Sequence, residues 1–132
     1  GKEPITLKKP TFINVANLNP GTRVNLHLKV TSVKVIRERK RYEGTLNRTA
    51  ECVVGDDSAS VNLIAKDEQL DLIKEGAHVT VRNAHANVVK EHMRLEVDRW
   101  AKVEVTTDNS AKPKTVNSKK NMSETEYELV PS

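Results

Sequence analysis

The chain has 132 residues, a net charge of +4, a hydrophobic fraction of 36% and a charged fraction of 30%. That length suits one compact domain of about 100 residues with polar ends. No stretch approaches the ~18 apolar residues of a membrane helix, and the start, GKEPITLKKP, lacks the apolar core of a secretory signal. The single Cys52 excludes an internal disulfide and a thiolate zinc cage, so a reducing compartment, nucleus or cytoplasm, is expected.

The positive charge is concentrated rather than spread. Residues 34–48 hold Lys34, Arg37, Arg39, Lys40, Arg41 and Arg48 against only Glu38 and Glu43.

In chain order, residues 1–11 read as a flexible N-terminal arm. Val24, Leu26, Leu28 and Val30 alternate and then change phase to Val33 and Val35, which predicts a long strand with a bulge near Thr31-Ser32. After the basic run, Ala50, Cys52 and Val54 alternate, Gly55-Asp56-Asp57-Ser58 carries turn chemistry, and Val61, Leu63 and Ala65 alternate again, which predicts a hairpin. Asp67 can cap a short helix over 68–74 that buries Leu70 and Ile73 and stops at Gly76. Val79 and Val81, a phase change near Asn83, then Ala86 and Val88 predict a fourth strand. A turn at Lys90-Glu91 leads to a fifth through Met93, Leu95 and Val97. From 107 to 132 the composition predicts a largely disordered tail. Within it Tyr127-Glu128-Leu129-Val130 has a strand's character, so 126–130 either docks as an extra strand or stays unstructured.

Five short strands, a helix between the third and fourth, and two bulges fit an all-β fold: the five-stranded Greek-key barrel called the OB-fold, spanning 12–106, while a split sandwich or an SH3-like barrel would give similar alternation. The segments "NLNPGTRVNLHLKV" (17–30), "RTAECVVGDDSASVNL" (48–63), "DLIKEGAHVTVRNA" (71–84) and "MRLEVDRWAKVEV" (93–105) carry a family resemblance. The stretch from Phe12 to Val105 resembles the single-domain OB-fold single-stranded DNA-binding proteins of the human sensor-of-single-stranded-DNA type. It is similar, more closely, to a plant group of small OB-fold nucleic-acid-binding proteins, whose tail the ending "EYELV" also resembles.

OB-folds present nucleic acid to the face of strands two and three and to the adjoining loops. The basic run falls in the first such loop, where Lys34, Arg37, Arg39, Lys40, Arg41 and Arg48 can neutralise phosphates and Tyr42 can stack on a base. Lys66, Arg82, His85 and Arg94 are candidates to extend that track across the sheet. The resemblance also exposes a departure. The DNA-binding relatives place aromatics at positions corresponding to Lys66, His85, Val89 and Glu96, and only His85 keeps a ring here. Each lost stacking contact is worth about 1–3 kcal/mol per base, and Glu51 and Glu96 would repel phosphate, so weaker and more electrostatic binding is expected.

His27, His78, His85 and His92 match no zinc spacing. Trp100, a lone aromatic near a barrel end, reads as a packing plug, with a base platform as the alternative, and Cys52 reads as a core residue. No Gly-rich phosphate loop, activated nucleophile or carboxylate pair is recognisable, so neither an enzyme nor a cofactor is expected. The expected partners are single-stranded DNA or RNA and, as the alternative reading, a larger DNA-repair or RNA-processing complex for which this chain is an adaptor. No membrane partner is expected.

Overall fold

The computed structural model describes residues 11–128. Six strands form: β1 (Arg23–Lys40), β2 (Leu46–Gly55), β3 (Ser60–Lys66), β4 (His78–Val89), β5 (His92–Glu96) and β6 (Lys102–Val105). Their order is β1-β2-β3-β5-β4-β6, and β1 also pairs with β4. The first five therefore close into a ring. All pairings are antiparallel except β3 with β5, where Leu63 faces Leu95 and Ile64 faces Glu96. This is the OB-fold barrel.

The alternation that predicts the strands is the alternation that fills the barrel. Leu26, Leu28, Val30, Ala50, Cys52, Val54, Val61, Leu63, Ala65, Val79, Val81, Met93 and Leu95 are fully buried, each from the inward half of a period-2 strand. Burial among these apolar neighbours, with Glu51 adjacent, pushes the Cys52 thiol up to about 11, so it stays protonated and inert at neutral pH.

Both predicted phase changes are bulges. Register slips between Val30 and Ser32 on β1. Opposite Val24–Leu26, β4 carries one extra residue, and there Asn83 adopts φ +58°. Asn25 steadies that kink, its Oδ1 accepting the Asn83 N–H at 2.9 Å.

Three features differ from the sequence expectation. The helix over 68–74 is a single 3-10 turn at Asp67–Asp71. Asp67 does not cap it, because its carboxylate instead accepts the Arg48 N–H at 2.9 Å. A sixth strand, β6, lies on β4 with Val81 opposite Val103.

The third difference is the tail. Where composition predicts disorder from 107 on, residues 107–128 are laid along the barrel. Thr115 donates its N–H and hydroxyl to Asp57 Oδ1 at 3.1 and 2.9 Å. A Cβ on Gly55 would fall 2.6 Å from Ala59 O and 2.7 Å from Val116, so a larger residue at 55 would force the hairpin or this segment to shift. Lys120 O accepts from Ser60 N–H, and Met122 N–H donates to Ser60 O, both at 2.8 Å. The segment thus fills the edge of β3 that the short β5 leaves unpaired. Within the predicted docking strand 126–130, Glu126 makes a single antiparallel bridge with His92. Leu129 and Val130, like residues 1–10 of the predicted arm, lie outside the described residues.

Candidate nucleic-acid interface

The basic run is a two-stranded ribbon rather than a loop. β1 continues to Lys40 and pairs with β2 out to Lys40–Leu46, leaving only 41–45 as the tip. The tip is closed by the Arg41 N–H donating to Thr45 O at 2.7 Å. Ribbon residues 35–46 are all exposed. Even Val35 and Ile36 stay about half in solvent, at 51% and 52%, so this arm projects beyond the core.

A second bulge on β1, between Val35 and Arg37, sorts its charges. Lys34 sits opposite Glu51, Arg37 opposite Thr49 and Arg39 opposite Asn47. Residues opposed in a ladder share a face, so Lys34, Arg37 and Arg39 fall on the side that continues the outer surface of β2. Glu38 and Lys40, opposite Arg48 and Leu46, face the other way. Were Ile36 in regular alternation instead of bulged out of the ladder, it and Glu38 would share the face of Lys34.

Two of the predicted cations are partly engaged. Arg41 reaches Asp67 at 3.4 Å and Arg48 reaches Asp71 at 4.0 Å, all four side chains substantially exposed. Pairs of this kind are worth ~1 kcal/mol or less, and phosphate can compete for them. Tyr42 stands fully exposed at the tip.

The outer sheet face is built from rows fixed by register. Lys34 on β1, Glu51 on β2, Ile64 on β3, Glu96 on β5 and His85 on β4 form one row. Thr49 and Lys66 form the next. Ile64 points outward yet is only 7% exposed, lying in the row between Glu51 and Glu96. A shallow groove of about 360 Å³ runs beside it, lined among others by Glu51, Asn62, Val89 and Arg94.

This face neutralises itself. Arg94 pairs with Glu96 at 2.9 Å, His85 approaches the same carboxylate at 4.0 Å, and Asn87 Nδ2 donates to it at 2.8 Å. Of the four positions where the family resemblance implies aromatics, Lys66, His85 and Glu96 lie in these two rows and Val89 lines the groove. Lys66 is exposed.

Arg82 does not join this face. It lies before the Asn83 bulge, where β4 pairs with β6, and donates to Glu104 at 2.9 Å. Its guanidinium sits 5.3 Å from the Phe12 ring, which in turn stacks on His27 with centroids 4.0 Å apart. Glu104 is held below the usual carboxylate range by its hydrogen bond from Arg82. Burial, then the Arg82 charge, lowers the His27 pKa.

Trp100 also departs from expectation. It is 61% exposed and is no packing plug. Nothing in its sequence neighbourhood signals this, because Val97, Ala101 and Val103 around it look like ordinary strand residues. Asn62, which lines the groove, and Asn87, which donates to Glu96, are likewise illegible, since alternation reports only the inward half of each strand.

Comparisons with known proteins agree with this geometry. Residues 18–105 match the family model described as single-stranded DNA binding protein Ssb-like, OB fold. An uncharacterized protein of Arabidopsis thaliana is 35% identical over 133 residues, spanning 93% of this chain and 85% of that protein. The solution structure of a hypothetical Arabidopsis thaliana protein superposes with a TM-score of 0.76 at 34% identity, over 100% of this chain and 97% of that one. A replication protein A heterotrimer bound to single-stranded DNA shares the fold, with a TM-score of 0.61 at 19% identity, over 79% of this chain and 27% of that one.

Proposed function

Because this chain belongs to the Ssb-like family of OB-fold single-stranded DNA-binding proteins, we propose that it is a non-enzymatic binder of single-stranded DNA or RNA. Its binding is mainly electrostatic and weakly sequence-specific. The observation that carries this reading is the projecting β1–β2 ribbon, whose bulge sets Lys34, Arg37 and Arg39 on the side that continues the outer face of β2. Phosphates of a flexible strand can follow those cations, with Lys40, Arg41 and Arg48 adding charge around the tip and Lys66 at its root. Tyr42 stacks on a base at the tip. His85 and Arg94 contribute less, because Glu96 already engages both. Arg82 belongs to the opposite cluster and takes no part.

Fluorescence anisotropy with labelled single-stranded DNA, single-stranded RNA and duplex at low salt tests the reading. Single strands bind more tightly than duplex of the same length. Absence of any single-strand binding at ~100 μM protein, weaker than even non-specific affinities of ~10⁻⁴ M, sinks it.

The two carboxylates on the face, Glu51 and Glu96, favour a second reading in which the chain is an adaptor within a nucleic-acid-processing complex and binds nucleic acid weakly. The two are compatible through avidity. A partner that survives nuclease treatment in a pull-down and is lost on removing residues 129–132 supports it. Removing more is uninformative, because Met122 and Tyr127 pack against the core.

A further inference from the structure

The turn joining β5 to β6 presents Trp100 in a way that barrel packing does not require. Three hydrogen bonds fix its backbone. The Trp100 N–H donates to Asp98 Oδ1 at 3.1 Å, Asn83 Nδ2 donates to Trp100 O at 3.1 Å, and the Ala101 N–H donates to Asp98 O at 3.0 Å. Asp98 is itself held by Arg23, whose guanidinium donates to both carboxylate oxygens. That hydrogen bond keeps Asp98 well below the usual range, at about 2, so the clamp is charged at any physiological pH.

On this braced turn the indole stays 61% exposed. Two guanidinium groups lie over the ring, Arg99 at 4.1 Å and Arg23 at 5.7 Å from its centroid. A large exposed aromatic flanked by cations, on a backbone that has little freedom left to lose, is preorganised for a planar anionic ligand. The turn also adjoins the candidate face. Asp98 lines a small hollow with Lys66, Glu96 and Ile64, and Arg23 lies opposite His85 across β1 and β4.

We propose that Trp100 is a base-stacking platform: an unstacked base of single-stranded nucleic acid takes the place of the exposed Arg99 guanidinium on the indole while that guanidinium turns to the neighbouring phosphate. This inference rests on the nucleic-acid-binding reading above. It extends the path from the ribbon past Lys66 and onto the β5–β6 turn. It also supplies a stacking contact away from the positions where relatives carry their aromatics.

Trp100 is the chain's only tryptophan, so its emission reports this one place. Titrating the protein with oligothymidylate quenches that emission as binding proceeds. An abasic oligomer of the same length, which binds the cations but offers no base, leaves the emission largely unchanged. Trp100→Ala weakens binding of oligothymidylate roughly five- to a hundredfold with the salt dependence preserved, and Trp100→Phe restores most of the affinity. Circular dichroism melts show both variants folded, since the side chain is mostly in water. Anisotropy of the wild-type protein on the same labelled oligomer separates the two ideas. If that protein binds while its emission is unquenched and Trp100→Ala binds as tightly, the platform is wrong and the broader reading stands. If the wild-type protein does not bind at all, both fall.

Discussion

The β1–β2 ribbon and the outer face of β3 and β5 carry similar residue types to opposite effect. On the ribbon, alternation sets Arg37 and Arg39 on one side and Glu38 on the other, and a single bulge residue brings Lys34 to the arginines' side. On the sheet face Arg94, His85 and Asn87 all converge on Glu96. One surface keeps its charge available for a ligand, whereas the other spends it on itself. Cation count therefore says less about binding than whether a carboxylate already engages each cation.

The largest expected effect comes from erasing the ribbon's side of the contrast. Replacing Arg37, Arg39, Lys40 and Arg41 together by Glu lowers single-strand affinity at least about a hundredfold near 0.1 M salt, since each lost phosphate contact removes part of a steep electrostatic term. Anisotropy on a labelled oligonucleotide measures it, and the melting temperature stays close to the wild-type value because these side chains are exposed.

The opposite manipulation unlocks the sheet. Glu51→Gln with Glu96→Gln tightens binding roughly three- to tenfold, on the ~1 kcal/mol scale of an exposed charge interaction. Unchanged or weaker affinity would mean that nucleic acid avoids this face. Arg82→Ala gives the control: affinity stays within about twofold, because the residue faces Phe12 and Glu104 rather than the proposed path, and losing its exposed pair costs only ~1 kcal/mol or less of stability. A larger loss would move the binding path to the other side of the barrel.

The smallest effect concerns stability on that other side. His27 is stacked on Phe12, bonded to Thr80 and faced by Arg82, with Asp108 only partly offsetting the positive charge. Its folded pKa is lowered, so once pH falls through the ordinary value of ~6.5 the unfolded chain takes up its proton more readily than the fold. Its contribution to stability is complete above that pH and is lost as pH falls further. Melts at pH 7.5 and 5.5 should show a drop that is shallower in His27→Gln.

Most of the barrel is legible in the sequence because inward side chains must be apolar and period-2 alternation reports them directly. Even the bulges near Thr31-Ser32 and Asn83 leave a trace, as a change of phase. β6 leaves little, being a short strand on which Val103 packs against the core while Val105 stays exposed. The course of 107–128 leaves none. It is held by backbone groups and by Asp57 and Ser123, and composition carries no record of hydrogen bonds that polar residues make to a vacant sheet edge.

The site divides in the same way. The cluster of cations can be counted, but the side to which each points depends on the position of Ile36 in the register. Arg82 is separated from His85 by a bulge that alternation locates without saying which cluster each residue joins. Trp100 looks like a packing residue until the Asp98 and Asn83 hydrogen bonds turn it outward.

The central claim, that an available ribbon of cations holds a single strand mainly by charge, is tested most directly by salt. Single-strand binding contributes a slope of about −0.7 in log affinity against log salt per neutralised phosphate. The wild-type protein should show a steep slope, and the variant with Arg37, Arg39, Lys40 and Arg41 changed to Glu should be flatter by about 3. Equal slopes in the two proteins would contradict the account, because the phosphate contacts would then lie elsewhere.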